Sequence, residues 1–230
     1  MEVLIIDIGG TSVKLWHTGH EEHRKFESGK GLSPDQMIAQ STALVGDWQF
    51  EAIALGLPTR VSNGRPVEDP QNLGPGWVGY NFASAFGKPV RILNDACLQA
   101  LGSYDGGRML FLGLGTAVGS ALVAERLLLS LDLGRLRLGE DRVFELLGDK
   151  GFEQLGLKKW RQAVETLVVT LKNSMMADYV VLGGGNVKEI EELPDGVRRG
   201  HNRTVVEGGR RVWELLPDPT KPNSGDWLVM

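Results

Sequence analysis

Short runs of apolar, largely β-branched residues recur along the chain, each bounded by glycine or polar residues. Such runs are typical of buried strands in a central sheet. Residues 12–16 and 23–26 instead alternate between apolar and polar side chains around Thr18-Gly19, which predicts half-exposed antiparallel strands. The pattern therefore predicts a mixed sheet. Buried strands are expected at residues 3–6, 52–57, 90–93, 109–112 and 179–182.

Helical patterns lie between these strands. Ser33-Pro34-Asp35-Gln36 is a capping box with proline at the first helical position, which predicts a helix that begins there. Between residues 158 and 177, apolar side chains recur at three- and four-residue spacing. This spacing predicts a long amphipathic helix that packs one face on a sheet.

The order of the predicted elements indicates two similar halves. A strand, a glycine turn, two strands, a helix and a further strand fill residues 1–57, and a similar order recurs from residue 109. This repetition predicts an α/β fold with two lobes, mixed central sheets and a ligand cleft between them. The lobes are expected at 1–106 and 107–203, with a helix at about 204–216 that packs back on the first lobe and an extended tail at 217–230 outside both.

Composition narrows the class of protein. The 230 residues are 42% hydrophobic and 23% charged, as in ordinary globular proteins. A net charge of -4 argues against a nucleic acid or an anionic membrane as partner. The single Cys97 permits no internal disulfide, the first residues lack a basic leader, and no apolar run approaches the ~20 residues of a membrane span. We therefore expect a cytoplasmic protein.

The first glycine cluster could bind phosphate. Gly9 and Gly10 follow Asp7 at the end of the first strand, so backbone N–H groups can approach an anion. The Thr11 hydroxyl and the Lys14 ammonium could contact phosphate oxygens, and Asp7 could hold a hydrated Mg²⁺. The same residues also fit an ordinary tight hairpin with an exposed lysine.

Two later glycine clusters extend the set. Gly115-Thr116 follows the strand at 109–112, and residues 117–123 then read as another strand. A dinucleotide-binding site requires a helix there, so a nicotinamide-dependent oxidoreductase fits only if 117–123 is helical, and no Walker motif occurs. Gly183-Gly184-Gly185 lies between a strand and a predicted helix, where flat backbone can abut an adenine or ribose.

Asp95 is the candidate catalytic base. It follows the strand at 90–93 and begins a predicted helix at about 96–101, so it could simply be a helix N-cap. Its place beside the phosphate turns also suits a carboxylate that accepts the proton of a substrate hydroxyl during phosphoryl transfer.

A resemblance to a known family is carried by segments in one order: Asp7-Ile-Gly-Gly-Thr, Leu93-Asn94-Asp95-Ala96, Leu112-Gly-Leu-Gly-Thr-Ala-Val-Gly-Ser120 and Leu182-Gly-Gly-Gly185. Over about residues 1–213 they resemble the ROK sugar kinases of the actin, hexokinase and Hsp70 superfamily. Within it the chain is most similar to polyphosphate glucokinases, through Lys14, the Asn72…Gly76-Trp77 stretch, the short segment between Leu133 and Leu157, and Leu157-Lys-Lys-Trp160.

The resemblance implies a glucokinase-like phosphotransferase with two ribonuclease-H-like lobes, which uses Mg²⁺ and either ATP or polyphosphate as donor. A homodimer is also implied, since relatives are often dimers. Asp95 would be the general base, and Asn72, Asn94 and Asp95 would contact the sugar. The phosphate and nucleotide contacts would be Gly9, Gly10, Thr11, Lys14, Gly115, Thr116, Gly183, Gly184 and Gly185.

One segment departs from the family pattern. The family carries Glu-x-Gly-His after the second phosphate hairpin, whereas this chain has Asp132-Leu133-Gly134-Arg135. Asp132 and Arg135 are therefore the corresponding sugar-binding candidates. Because a polar site discriminates strongly among hydroxyls, two alternatives stay open: a kinase of a different, acidic sugar, and a non-catalytic relative that binds nucleotide or sugar.

Basic residues on the long predicted helix have two interpretations. Ammonium and guanidinium groups could track a polyphosphate chain, or they could form a solvated helix face. The set consists of Lys150, Lys158, Lys159, Arg161 and Lys172.

Overall fold

Two mixed sheets and the helices around them form the chain, whose computed structural model describes residues 1–201, 203–218 and 226–230. None of the helices in these ranges is both long and apolar enough to cross a membrane. The strands are β1 (Val3–Ile8), β2 (Ser12–His17), β3 (Arg24–Glu27), β4 (Ala52–Leu57), β5 (Val61–Ser62), β6 (Arg65–Pro66), β7 (Val90–Asn94), β8 (Arg108–Leu114), β9 (Val118–Ala124), β10 (Leu127–Leu131), β11 (Arg137–Leu138), β12 (Asp141–Arg142), β13 (Tyr179–Gly183), β14 (Val197–Arg199) and β15 (Leu228–Val229). The helices are α1 (Pro34–Leu44), α2 (Phe82–Phe86), α3 (Asp95–Ser103), α4 (Val143–Leu147), α5 (Asp149–Ser174) and α6 (Thr204–Glu214), with 3₁₀ turns at Leu133–Arg135 and Gly185–Glu189.

Both main sheets have the same topology. The first has the order β3-β2-β1-β4-β7, with β1 antiparallel to β2 and parallel to β4. The second has the order β14-β13-β8-β9-β10-β15, with β8 antiparallel to β9 and parallel to β13. The predicted mixed sheets and their repetition are therefore confirmed. Residues 118–124 form a strand, which removes the structural basis for a dinucleotide-binding oxidoreductase.

Apolar side chains bury both faces of each sheet. Along β1, Val3 and Ile5 point to one core while Leu4, Ile6 and Ile8 point to another, as the two-residue period of a strand requires. One outer core lies under α1, and the other lies between the second sheet and α5. Between the sheets, α3 and α6 share a single core with both. The layers therefore run α1, first sheet, α3 with α6, second sheet, α5.

The predicted helices form, with one boundary displaced. The capping box begins α1 as expected: Ser33 N–H donates to Gln36 Oε1 (3.0 Å), and Gln36 N–H donates to Ser33 Oγ (3.4 Å). Helix α5 begins at Asp149, well before the expected residue 158. At Gly156, φ is 71°, so the helix consists of two segments joined at a kink. The apolar periodicity detects only the longer segment after this kink.

The C-terminal segment contains an interaction that the sequence analysis did not anticipate. Helix α6 packs on α3 and β1. The tail was expected to lie outside both lobes, yet Leu228–Val229 pairs in parallel with β10. Ser130 N–H donates to Met230 O (2.7 Å), and Met230 N–H donates to Leu128 O (2.9 Å), so the tail satisfies backbone groups of a strand that would otherwise be an edge. The rest of the predicted tail, 219–225, lies outside the described residues.

Candidate active site

Two carboxylates lie on either side of the C-terminal end of β4 in the first sheet. Asp7 lies near the end of β1, Asp95 begins α3 after β7, and β4 runs between these strands. Gly56 of β4 is paired with Asp7 in register. A Cβ on Gly56 would lie 3.4 Å from Asp95 Cα and 3.6 Å from Asp7 Oδ1. The missing side chain at this position therefore lets both acids approach the same edge.

Sequence analysis did not single out Gly56. Its one signal is a glycine inside an apolar strand, a position that often marks close approach of another group. In this protein the groups that approach are Leu98, Asp95 and Asp7.

Burial raises the pKa values of both acids towards neutral pH. Burial raises the pKa of Asp7 to about 6, against the opposing effect of the Lys14 charge across the β1–β2 pair. Burial also raises the pKa of Asp95 to about 7, and the nearby charge of Asp7 contributes in the same direction. A carboxylate with a pKa near the working pH is suited to accept a proton.

Asn94, and not Asp95, is the N-cap of α3. Its side-chain oxygen accepts from the N–H groups of Ala96 (3.0 Å) and Cys97 (3.3 Å). Its amide nitrogen donates to the carbonyl of Thr59 (3.1 Å). The alternative in which Asp95 caps the helix is therefore wrong. A sugar contact by Asn94 stays a prediction, and its amide would have to share these bonds.

The first glycine turn is anchored by Ser28, the residue that follows β3. Gly9 N–H donates to Ser12 O (2.9 Å) across the turn. Ser28 donates through its hydroxyl to Gly9 O (2.7 Å) and through its N–H to Thr11 O (3.1 Å). These bonds fix the turn while Thr11 remains exposed, so its hydroxyl is accessible to a ligand.

The turns of the two sheets face each other. A Cβ on Gly10 would lie 3.9 Å from Thr116 Cβ of the second turn and 3.6 Å from the side-chain nitrogen of Asn72. Two predicted phosphate turns and one predicted sugar ligand therefore come together.

The loop that carries Asn72 is held by a carboxylate. Asp69 accepts from the N–H groups of Trp77 (2.8 Å) and Gly76 (3.2 Å). Trp77 is fully buried, and its indole N–H donates to Gly74 O (2.7 Å). This indole is part of the core of the first lobe, whereas Asn72 is exposed.

The third glycine cluster, Gly183-Gly184-Gly185, is in close contact with the start of the second glycine turn at Leu114. Gly184 has a φ of 88°, and a Cβ there would overlap with the carbonyl of Leu114. Only glycine allows this close approach. A Cβ on Gly185 would meet nothing within 4 Å, which leaves an open backbone surface next to the turn.

Asp149 joins these two segments, and the sequence analysis did not identify it. Its N–H donates to Gly115 O (2.9 Å). One carboxylate oxygen accepts from the Thr116 hydroxyl (3.0 Å), and the other accepts from the side-chain amide of Asn186 (2.7 Å). Its partners lie more than 30 residues away in sequence, so no local pattern marks it.

Asp132 and Arg135 pair with each other. Arg135 Nε lies 2.9 Å from Asp132 Oδ2. The side chain of Arg135 is 58% exposed and that of Asp132 is 66% exposed. The turn between them packs on the start of β9, because a Cβ on Gly134 would lie 3.0 Å from Val118 O. The pair therefore lies on the surface beside the second glycine turn.

The acid pair fits a magnesium ion that is shared with phosphate. Mg²⁺ prefers oxygen ligands and is usually held by one or two carboxylates together with water and substrate phosphate. Asp7 is a buried carboxylate whose pKa is raised, so an adjacent cation would favour its charged form. Among the described residues there is no cluster of three or more His, Cys, Asp and Glu that could enclose a metal alone.

Solved structures with the same fold include several sugar kinases. The inorganic polyphosphate/ATP-glucomannokinase from Arthrobacter sp. strain KM superposes with a TM-score of 0.76 and 18% identity, over 90% of this chain and 96% of that chain. A ROK family glucokinase from Streptomyces griseus in complex with glucose and AMPPNP gives 0.69 and 14% identity, over 91% and 98%. A ROK family transcriptional regulator, a homologue of the E. coli MLC protein, gives 0.67 and 13%, over 90% and 76%.

These likenesses extend over most of each chain and show that this protein has the fold of the ROK proteins. The resemblance stated from the sequence is confirmed at the level of the fold. No protein-family model and no curated protein matches the sequence. A fold by itself does not define an activity, which depends on the residues of the site.

Proposed function

We propose that this protein is a sugar kinase that transfers a phosphoryl group from ATP or polyphosphate to a sugar hydroxyl. The observation that carries this proposal is the convergence of Gly10 and Thr116, from two turns on opposite sheets, in a fold that holds Asp95, at the start of α3, near Asp7 of the first sheet. Phosphoryl transfer requires positioning, charge stabilisation and an acceptor for the alcohol proton, and this arrangement supplies each.

In the proposed reaction, the oxygen of the sugar hydroxyl forms a bond to the terminal phosphorus of the donor, and Asp95 accepts the proton of that hydroxyl. The bond from that phosphorus to the bridging oxygen breaks, and the shortened donor leaves with the bonding electron pair. The pKa of Asp95, about 7, allows the carboxylate form to be present at neutral pH. Asp95 begins α3, which both sheets pack against, so the base is rigidly held.

Phosphate contacts are proposed for both turns. The N–H group of Gly10 and the Thr11 hydroxyl would donate to phosphate oxygens, and the Thr116 hydroxyl would do so in exchange for its bond to Asp149. The N–H groups of Gly9 and Gly115 already donate to Ser12 O and Ala117 O, so these glycines would line the turns without donating to phosphate. Lys14 lies opposite Asp7 and would add positive charge. Asp7 would hold Mg²⁺, which supplies charge neutralisation on the phosphates. Gly183, Gly184 and Gly185 would contact the nucleotide.

The sugar is proposed to lie between Asn72, Asn94 and Asp95. Asn72 is exposed next to Gly10, so a hydroxyl that contacts it would also lie close to the phosphate turns. Asp132 and Arg135 are further candidates, but a sugar would have to break or share their ion pair.

An acceptor screen tests the proposal directly. ADP release or polyphosphate consumption is measured with neutral, amino and acidic sugars, for the wild type and for Asp95→Asn. We expect turnover with at least one sugar, and a loss of at least about 10²-fold in kcat in the variant because the proton acceptor is gone. Asp141→Asn, an exposed acid on β12, is the control and should retain turnover. Unchanged turnover in Asp95→Asn would refute the assigned base.

A non-catalytic ligand-binding relative is the second candidate. The observation in its favour is the Asp132–Arg135 ion pair, which stands where the family carries Glu-x-Gly-His. One structure with this fold is described as a transcriptional regulator. Calorimetry separates the candidates: nucleotide binding without acceptor-dependent release of ADP across the whole panel would favour this second function.

A further inference from the structure

We propose that Asp149 is a specificity-determining residue for the phosphoryl donor, which favours a magnesium-bound nucleoside triphosphate over bare polyphosphate. This inference rests on the proposed function and deepens it. The starting observation is that one carboxylate bonds both segments that are proposed to hold the donor: the Thr116 hydroxyl of the second turn (3.0 Å) and the Asn186 amide of the glycine loop (2.7 Å).

The backbone fixes Asp149 in this position. Its own N–H donates to Gly115 O (2.9 Å). The preceding Gly148 lies against the same turn, since a Cβ there would lie 3.1 Å from Gly115 O and 3.2 Å from Thr116 O. The start of α5 is therefore locked to the second turn, and the carboxylate cannot move away without breaking these contacts.

The charge of Asp149 is not offset by a basic side chain. In the described part of the chain it forms no ion pair, and the neighbouring Lys150 lies instead 3.9 Å from Glu145. A helix N-terminus attracts anions, but here the carboxylate itself occupies the first turn of α5. A phosphate that contacts Thr116 therefore meets a negative charge at hydrogen-bond range from the same hydroxyl.

A bare polyanion is affected more by this charge than a nucleotide complex. Mg²⁺ offsets part of the triphosphate charge, and the base and ribose can gain contacts at Gly184 and Gly185 that polyphosphate lacks. Polyphosphate would need a run of free cations, yet Arg161 binds Glu191 (2.9 Å) and Lys172 donates to Asp195 O (3.2 Å). These contacts favour the interpretation of Arg161 and Lys172 as surface charges.

Binding experiments test the role without relying on turnover. Isothermal calorimetry measures the affinities for AMPPNP with Mg²⁺ and for inorganic tripolyphosphate without metal. The proteins are the wild type, Asp149→Asn and Glu153→Gln, which removes one exposed carboxylate a helical turn further along α5. We expect the wild type to prefer the nucleotide by at least about tenfold. Asp149→Asn should tighten tripolyphosphate by about tenfold, and Glu153→Gln should change either affinity by less than about twofold.

Two outcomes would overturn the role of Asp149. One is a wild type that binds tripolyphosphate as tightly as the nucleotide complex. The other is an Asp149→Asn variant that weakens both ligands equally, which would make Asp149 only a structural link between the two loops. If Asp149→Asn does not fold, Asp149→Ser, which suits a helix start, replaces it.

The role of Asp149 and the proposed kinase activity can fail separately, and the experiments distinguish these failures. Donor selectivity without turnover on any sugar would support the role of Asp149 and count against a kinase. Turnover with equal use of ATP and polyphosphate would support a kinase and reject the role of Asp149. Failure of the wild type to bind either donor would reject both.

Discussion

At the scale of single residues, the site depends on two acids whose surroundings partly desolvate them: Asp7 is buried and Asp95 is half-buried. Asp7 and Asp95 both have a pKa raised by burial, to about 6 and about 7. A carboxyl group with a raised pKa destabilises the folded protein at neutral pH, and such groups are often found at functional sites. The two residues therefore have a measurable cost in stability.

The first prediction concerns stability and pH. The pKa of Asp95 is about 7 in the folded protein against an ordinary 3.8, so the folded state holds its proton more tightly than the unfolded state. The contribution of this proton to stability is present below about pH 4 and is lost as the pH rises to about 7. Asp95→Asn removes that loss. We expect the variant to melt several degrees above the wild type at pH 8, with the difference shrinking towards pH 4.

Thermal melts at several pH values measure this difference. Asp141→Asn serves as the control, because this acid is exposed on β12. A difference between Asp95→Asn and wild type that is constant with pH would contradict the raised pKa of Asp95.

The second prediction separates the two roles of Asn94. Asn94→Ala removes the N-cap of α3 and should lower the free energy of unfolding by about 1–2 kcal/mol. Asn94→Ser keeps a capping oxygen and should restore most of that stability. If the amide also binds the sugar, the KM for the sugar should stay raised in Asn94→Ser, as measured by steady-state kinetics.

Asn81→Ala provides the matched control, because Asn81 caps the short helix α2 through one bond to Ser84 N (3.0 Å). It should leave the KM for the sugar unchanged. A normal KM in Asn94→Ser would limit Asn94 to its structural role.

At the scale of elements, strand β4 sets the distance between the acids. Strands β1 and β7 lie on either side of it, and Gly56 is the point where both carboxylates come close. The neighbouring Ala54, on the same face of β4, packs in the core between the sheets. Position 56 is thus the place on this strand where a side chain would meet the site itself.

The third prediction tests this spacing. Gly56→Val adds a side chain beside Leu98, Asp95 and Asp7. We expect kcat to fall by at least about tenfold, since a small displacement of a positioned group has a large effect on rate. Ala54→Val overpacks the same face two residues earlier, so both variants should lose about 1–3 kcal/mol of stability. Equal kcat values in the two variants would show that Gly56 does not position the acids.

At the scale of the whole molecule, the two lobes share a central core in addition to the outer core of each sheet. Helices α3 and α6 pack on each other and share one core with both sheets. Their close crossing requires Gly102 and Gly208, because a Cβ on either would overlap with a carbonyl of the opposite helix. The C-terminal β15, which follows α6 in the sequence, pairs with β10 of the second sheet.

The fourth prediction follows from this shared layer. Gly102→Val places a branched side chain against the carbonyl of Thr204 and should cost more than about 4 kcal/mol. Because both sheets depend on α3, we expect a single loss of the folded state in denaturant titrations and not the unfolding of one lobe. Gly31→Val, at a position with nothing within 4 Å, is the control and should retain the wild-type midpoint. A Gly102→Val protein that unfolds in two separate steps would contradict the shared core.

The sequence by itself determined what depends on local chemistry. Strand β4 has the bounds that its apolar run predicts, and the capping box begins α1, because periodicity and capping act within a few residues. The glycine turns could be read for the same reason, since a turn between adjacent strands has its own residue requirements.

Only the tertiary structure decided which of these local features meet. Asp149 bonds Thr116 and Asn186 across long stretches of chain, Gly56 separates two acids on other elements, and β15 pairs with β10 from a distant part of the sequence. Hydrogen bonds and close contacts between distant segments leave no periodic mark in the sequence, because each partner satisfies only its own local rules until folding brings the two together.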